Sequence, residues 1–138
     1  MNLRMNPPLV SLASTVLLVD DNAIQAATRQ TILKRAGYSV QAALNPMRAL
    51  ELIQKNDFAM DIGAVITDHI MPGMNGAEFV RELRKFRPSL PVIVISGLEE
   101  AESEYEDLDV RFLVKPLPPD QLLANLRSVL EIEQQGAA

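Results

Sequence analysis

Four short apolar runs constrain this chain more than any other feature, because each stops on a side chain able to do chemistry. Residues 16–19 run into Asp20-Asp21, residues 65–67 into Asp68, residues 92–95 into Ser96-Gly97, and residues 110–114 into Lys115-Pro116. Continuous Val, Ile and Leu runs read as parallel strands covered on both faces, and polar residues at their carboxyl ends lie where open α/β sheets keep their sites. The stretch 65–76, Val-Ile-Thr-Asp-His-Ile-Met-Pro-Gly-Met-Asn-Gly, shows this most plainly. A strand delivers Asp68 to the sheet edge, and Pro72, Gly73 and Gly76 form the loop before the next helix. A lone aspartate there would read as a turn or cap residue. Three carboxylates, a hydroxyl and an ammonium at successive strand ends require a common explanation.

The segments between these runs have helical or strand character. Asn22 is placed to cap a helix in which Ile24, Thr28, Ile32 and Ala36 fall four apart and are expected to line one face, with Gly37 ending it. Residues 38–43 read as a second strand, and Asn45-Pro46 as the cap and first turn of a helix reaching about residue 56. Residues 57–63 are expected to be a loop and 64–68 the central strand. Phe79, Val80, Leu83 and Phe86 mark the next helix, and Pro88 and Pro91 bracket its exit. Leu122, Leu123, Leu126, Val129 and Leu130 make the last helix amphipathic until it frays at Gly136. Strands alternating with helices predict an α/β fold: a five-stranded parallel sheet, doubly wound, with helices on both faces. In the flavodoxin-like order 2-1-3-4-5 the first and third strands are neighbours, so Asp20, Asp21 and Asp68 are expected to converge.

Composition narrows the partners. The net charge of −5 and pI of about 4.8 disfavour a phosphate backbone, so no direct nucleic-acid binding is expected. The chain has no cysteine, which excludes disulfides and thiolate metal sites, and no apolar segment reaches bilayer length, so no membrane association is expected. With no secretion signal, the cytoplasm is the expected compartment. Residues 1–14, which carry Arg4 and Pro7-Pro8, read as a flexible leader, 15–133 as one domain and 134–138 as a flexible tail.

Converging carboxylates repel by about 4 kcal/mol per pair at an effective dielectric of 20, so they need a cation. All-oxygen donors with room for water suit Mg²⁺, with Mn²⁺ as a substitute. Beside such an ion a carboxylate can attack phosphorus. Phosphoryl transfer then requires an in-line nucleophile, a metal, a cation on the equatorial oxygens and a hydroxyl, and Asp68, the Asp20/Asp21 metal, Lys115 and Ser96 supply them.

This set, with Met71-Pro72-Gly73-Met74-Asn75-Gly76 following Asp68, resembles the receiver domain of bacterial two-component response regulators, over residues 15–132. The resemblance implies that Asp68 accepts phosphate and that Asp20 and Asp21 form the Mg²⁺ pair, with the Ile70 carbonyl and Asp68 completing the metal ligands. It implies further that Lys115 binds phosphoryl oxygens, that Ser96 and Phe112 are the switch pair, and that Pro116 follows a cis peptide bond. The phosphoryl group would come from a sensor histidine kinase, a histidine phosphotransfer protein or a small phosphodonor, and would switch a surface for a downstream protein partner. A weak homodimer is allowed. On this reading the domain catalyses only its own phosphorylation and dephosphorylation.

The chain departs from the family's pattern in one region. Residues 97–109 are compressed and acidic, with room for a short fourth helix only, and Asp109-Val110 stands where the family usually has a small Gly-Ala step. That puts in doubt the usual dimer built on the fourth helix, fifth strand and fifth helix. The acidic run reads as a solvated face. His69, the single histidine, is expected as a loop side chain near the site, and Ile70 and Leu98 as apolar bulk hindering water. Among alternatives, a haloacid-type aspartate phosphatase needs a second acid two residues beyond its nucleophile, where Ile70 stands. A nucleotide or flavin module lacks its phosphate cradle in Asp-Asp-Asn-Ala. A pseudo-receiver that only binds partners conflicts with the intact residue set.

Overall fold

The computed structural model describes residues 15–55 and 61–137, with side chains described as far as Glu131. The expected leader, Asn56 and the first part of the expected 57–63 loop, residues 57–60, lie outside the described residues. Five strands form one parallel sheet in the order β2-β1-β3-β4-β5, as the apolar runs imply. They are β1 (Thr15–Val19), β2 (Ser39–Ala43), β3 (Ile62–Asp68), β4 (Val92–Ser96) and β5 (Arg111–Val114). Helices α1 (Ala23–Arg35), α2 (Pro46–Lys55), α3 (Gly76–Arg84) and α4 (Pro119–Ala137) connect and cover them, with a 3-10 helix (Glu99–Tyr105) before β5.

Alternation along the central strands sorts their side chains into two cores. Leu17, Val19, Val65, Val92 and Val94 face α2 and α3, meeting Leu50, Ile53, Phe79, Val80 and Leu83. Val16, Leu18, Ala64, Ile66, Ile93 and Ile95 face α1 and α4, meeting Ala26, Leu33, Leu122, Leu126 and Leu130. Burial on both faces is why these strands read as unbroken apolar runs. The register aligns their carboxyl ends: Val19 lies beside Thr67, Asp68 beside Ile95, and Ser96 beside Val114.

The helix caps are local. Asn22 Oδ1 accepts from Gln25 N at 2.9 Å, and Gly37, at φ +100°, turns the chain away after α1. Asn45 Oδ1 accepts from Arg48 N at 2.7 Å. Asn75 and Glu78 form a reciprocal capping box at α3, an Asn-x-x-Glu signature visible in the sequence.

Three expectations need correction. The inner face of α1 carries Ala26 and Leu33, whereas Ile24 is 80% exposed and Thr28 and Ala36 also face solvent. Counting aliphatic residues four apart misled because this helix has few large ones, and polar side chains occupy part of its inward face. Strand β3 begins at Ile62 rather than Ala64, since Ile62 pairs with Thr15 across a register shift. Helix α4 continues to Ala137, through most of the expected tail.

The acidic tract folds as anticipated into a short 3-10 turn with its seven carboxylates in solvent, anchored by buried Ala101, Tyr105 and Leu108. It ends on Asp109 at φ +55°, the left-handed conformation that a glycine would adopt freely. Arg84 fixes this corner. Its guanidinium donates to the carbonyls of Leu108 at 2.8 Å, Asp109 at 2.8 Å, Arg87 at 3.0 Å and Leu90 at 2.7 Å, and burial lowers its pKa.

Because the Asp109 backbone carries that geometry, Asp109→Gly is expected to hold stability or raise it by up to about 1 kcal/mol. Asp109→Val should lower it by about 1–2 kcal/mol. Urea unfolding measures both, and a Val variant as stable as the Gly variant would contradict the left-handed turn.

Candidate functional site

Parallel strands β1 and β3 end side by side, and each hands a carboxylate to the same edge. Asp20 is fully buried and Asp68 only 4% exposed. The two share donors from α1. Gln25 Nε2 donates to Asp20 Oδ2 at 2.8 Å and to Asp68 Oδ2 at 2.7 Å. Arg29 Nη1 lies 3.1 Å from Asp20 Oδ2 and 3.1 Å from Asp68 Oδ1. Asn22 N donates to the remaining Asp20 oxygen at 2.9 Å. Gln25 and Arg29 are four apart, so they lie on one side of α1 and reach the strand ends together.

Lys115, directly after β5, brings Nζ to 3.5 Å from Asp68 Oδ1 and keeps 37% of its side chain in solvent. Its backbone N donates to the Ser96 carbonyl at 2.8 Å, tying the ends of β4 and β5, and the following Lys115-Pro116 bond is cis. Asp68, Asp20 and Lys115 are thus brought together. Burial is the largest influence on Asp68 and pushes its pKa above 3.8, while Arg29, and more weakly Lys115, pull it back.

Asp21 and Ser96 stand at the same strand ends, each with its own surroundings. Asp21 is exposed in the turn after β1, and among the described residues no three acidic or histidine side chains gather as a metal-ligand group. The expected three-carboxylate cluster is therefore a pair, because the strand's alternation turns Asp20 inward and Asp21 out. Ser96 is buried, but its hydroxyl is engaged within its own loop, accepting from Leu98 N at 2.9 Å and lying 3.3 Å from Leu98 O. Ile70 and Leu98 are 63% and 42% exposed, which places their apolar bulk mostly in solvent rather than over Asp68.

His69 is more than a loop side chain. It is buried, its Nδ1 lies 2.6 Å from the Tyr105 hydroxyl, and its Nε2 lies 3.5 Å from Glu104. Tyr105 in turn packs on Phe112, with ring centroids 5.6 Å apart. Burial pushes the Tyr105 hydroxyl well above its usual pKa, so it stays protonated within this contact. Gly76 admits this contact: a Cβ there would collide with the Tyr105 hydroxyl and approach the Asp68 carbonyl to 2.8 Å. Sequence reasoning missed Gln25, Arg29 and Tyr105. The single available signal for the first two was polar residues four apart on the inward side of α1.

Two buried carboxylates open to the same donors suit a hard divalent ion, which needs one or two carboxylates beside water and phosphate oxygens. Here a guanidinium and an amide already stand between them.

Comparison with known proteins agrees with this geometry. Residues 16–127 match the response regulator receiver domain. The chain is 34% identical over 125 residues to the sensor kinase CckA of Brucella abortus, covering 88% of this chain and 13% of that protein. It is 37% identical over 123 residues to the C4-dicarboxylate transport transcriptional regulatory protein DctD of Pseudomonas aeruginosa, covering 86% and 26%. It therefore spans about a quarter or less of these relatives. A solved response regulator receiver protein from Sinorhizobium medicae superposes with TM-score 0.75 at 30% identity, covering 86% of this chain and 95% of that one.

A raised pKa in the folded state means that ionised Asp68 carries a stability cost at neutral pH. That cost disappears as pH falls through the raised value. Asp68→Asn is therefore expected to melt about 2–6 °C above the parent at pH 7, with the gap closing on acidification. A gap of opposite sign, or one independent of pH, would contradict the burial argument.

Proposed function

This chain belongs to the response regulator receiver domain family, and from that premise we propose that it is a phosphoacceptor of a two-component phosphorelay, taking the phosphoryl group on Asp68. The observation that carries the reading is a buried carboxylate at a strand end with an ammonium 3.5 Å from one oxygen and a second carboxylate across shared donors.

An Asp68 oxygen forms the new P–O bond as the P–N bond of a donor phosphohistidine breaks, and the imidazole leaves with the electron pair. With acetyl phosphate the bond broken is P–O and acetate leaves. Lys115, partly in solvent, is placed to follow the phosphoryl oxygens as they become charged. Asp20 and Asp68, with Asp21 from the adjoining turn, would hold Mg²⁺, and the Ile70 carbonyl would be the backbone donor. That ion, when bound, supplies charge neutralisation on the transferring oxygens.

The product carries about −1.5 to −2 charge at pH 7 where Asp68 carried one. Ser96 answers it by leaving its loop contacts with Leu98, and Phe112, half-buried against Tyr105, is the aromatic whose packing reports the change. No helix among the described residues is long and apolar enough to cross a membrane. A cytoplasmic phosphodonor, a sensor histidine kinase or a histidine phosphotransfer protein, completes the proposal, with residues 15–133 as the functional unit. A haloacid-type phosphatase gains no support, because exposed Ile70 stands where its second acid would be needed.

Incubation with Mg²⁺ and acetyl phosphate, read by intact mass, tests this. The parent chain is expected to gain one phosphoryl group, Asp68→Asn none, and Lys115→Met to label about 10- to 100-fold more slowly. Labelling of Asp68→Asn at the parent's rate would overturn the assignment.

A further inference from the structure

The carboxylate pair is already neutralised from within. Asp20 and Asp68 bring two negative charges into a nearly waterless edge of the sheet, and Arg29 and Lys115 bring two positive ones. Lys115 touches Asp68 from the solvent side, keeping 37% of its side chain exposed, whereas the Arg29 side chain is only 11% exposed. A single guanidinium nitrogen stands 3.1 Å from both carboxylates, the bridging place a small cation would take.

We propose that Arg29 is the built-in cation of this pocket and that a divalent ion binds Asp20 and Asp68 only by displacing it. The inference rests on the reading of Asp68 and Asp20 as metal-binding carboxylates. Elementary electrostatics carries it further. A guanidinium and a divalent ion between the same two carboxylates would repel strongly, by about 8 kcal/mol for charges of one and two at 4 Å and an effective dielectric of 20. They cannot share the site. The Arg29–carboxylate contacts must therefore break before the metal contacts form, and the metal's apparent affinity is scaled down to the fraction of molecules in which Arg29 has left the carboxylates.

The structure also provides a place for the displaced side chain. Arg29 and Gln25 line a groove between α1 and the segment after Lys115, bounded by Thr28, Ile32, Leu117 and Leu122. A long flexible side chain anchored on α1 can swing from the pocket to this groove while its aliphatic stem stays packed. Metal occupancy is thereby coupled to the α1 face, through one side chain rather than a movement of the helix.

Titration calorimetry with MgCl₂, and separately MnCl₂, on the whole chain tests the proposal, alongside melting temperatures with and without metal. Arg29→Met and Arg29→Gln remove the charge in two ways, so that one of them failing to fold does not end the test. Each is expected to bind Mg²⁺ at least about tenfold more tightly than the parent. Each should also melt lower than the parent without metal and gain more on its addition. Arg48→Met, which removes an exposed guanidinium paired with Glu51 on α2, should shift affinity less than about threefold.

Equal Mg²⁺ affinity in the parent and the Arg29 variants would overturn the proposal and leave the proposed function standing. Binding in no chain would overturn it too, and labelling of Asp68 by acetyl phosphate then decides independently whether the proposed function falls with it.

Discussion

Two carboxylates held beside one another out of water are the constraint on which this molecule turns. The parallel sheet creates the problem: the register sets the ends of β1 and β3 level, and the alternation of each strand turns Asp20 and Asp68 to the same side. Bringing like charges this close in a poorly solvated place is unfavourable unless something positive joins them. In this structure that is done by α1, through Arg29 and Gln25, and by Lys115 from β5. The apolar cores on both faces of the sheet hold the strand ends in place, so the stability of the hydrophobic interior sustains an electrostatically strained edge.

A second line of contacts runs from the same edge toward the acidic turn. His69, the next residue after Asp68, meets the Tyr105 hydroxyl, and Tyr105 packs at a tilt against Phe112 on β5. The acidic tract, whose charged side chains face solvent, contributes its one aromatic to the interior. A change of charge at Asp68 therefore has a packed path to β5 through side chains that are already in contact. Gly76 is the spacing element of that path, since any larger residue would push Tyr105 away.

The sheet was legible because its strands are buried on both faces, so runs such as Val16–Val19 and Val92–Ile95 carry a strong signal and their polar stops mark the edge. The polar stops of these runs put Asp20, Asp68, Ser96 and Lys115 at that edge, whereas the cis bond before Pro116 was implied only by the family resemblance. Helix α1 was harder. Its aliphatic residues are spread around it, so counting them chose the solvent side, and Arg29 lay unnoticed on the inner one between Ala26 and Leu33. Arginine on an inward face announces itself only when its partners are known, and those partners come from strands far away in sequence. Asp20 and Asp21 look equivalent in sequence, but the strand end turns Asp20 inward and leaves Asp21 exposed beside it. Tyr105 was hidden by the seven acidic residues around it, whose shared solvent face masked one buried anchor.

The central claim is that one guanidinium answers for both carboxylates, and a double-mutant cycle addresses it directly. Arg29→Met, Asp68→Asn and the double variant are unfolded in urea at pH 7 without metal. Loss of Arg29 should cost at least about 1 kcal/mol more when Asp68 is ionised than when asparagine stands in its place. Strictly additive effects would contradict the account, because Arg29 would then be a neighbour of Asp68 and not its counter-charge.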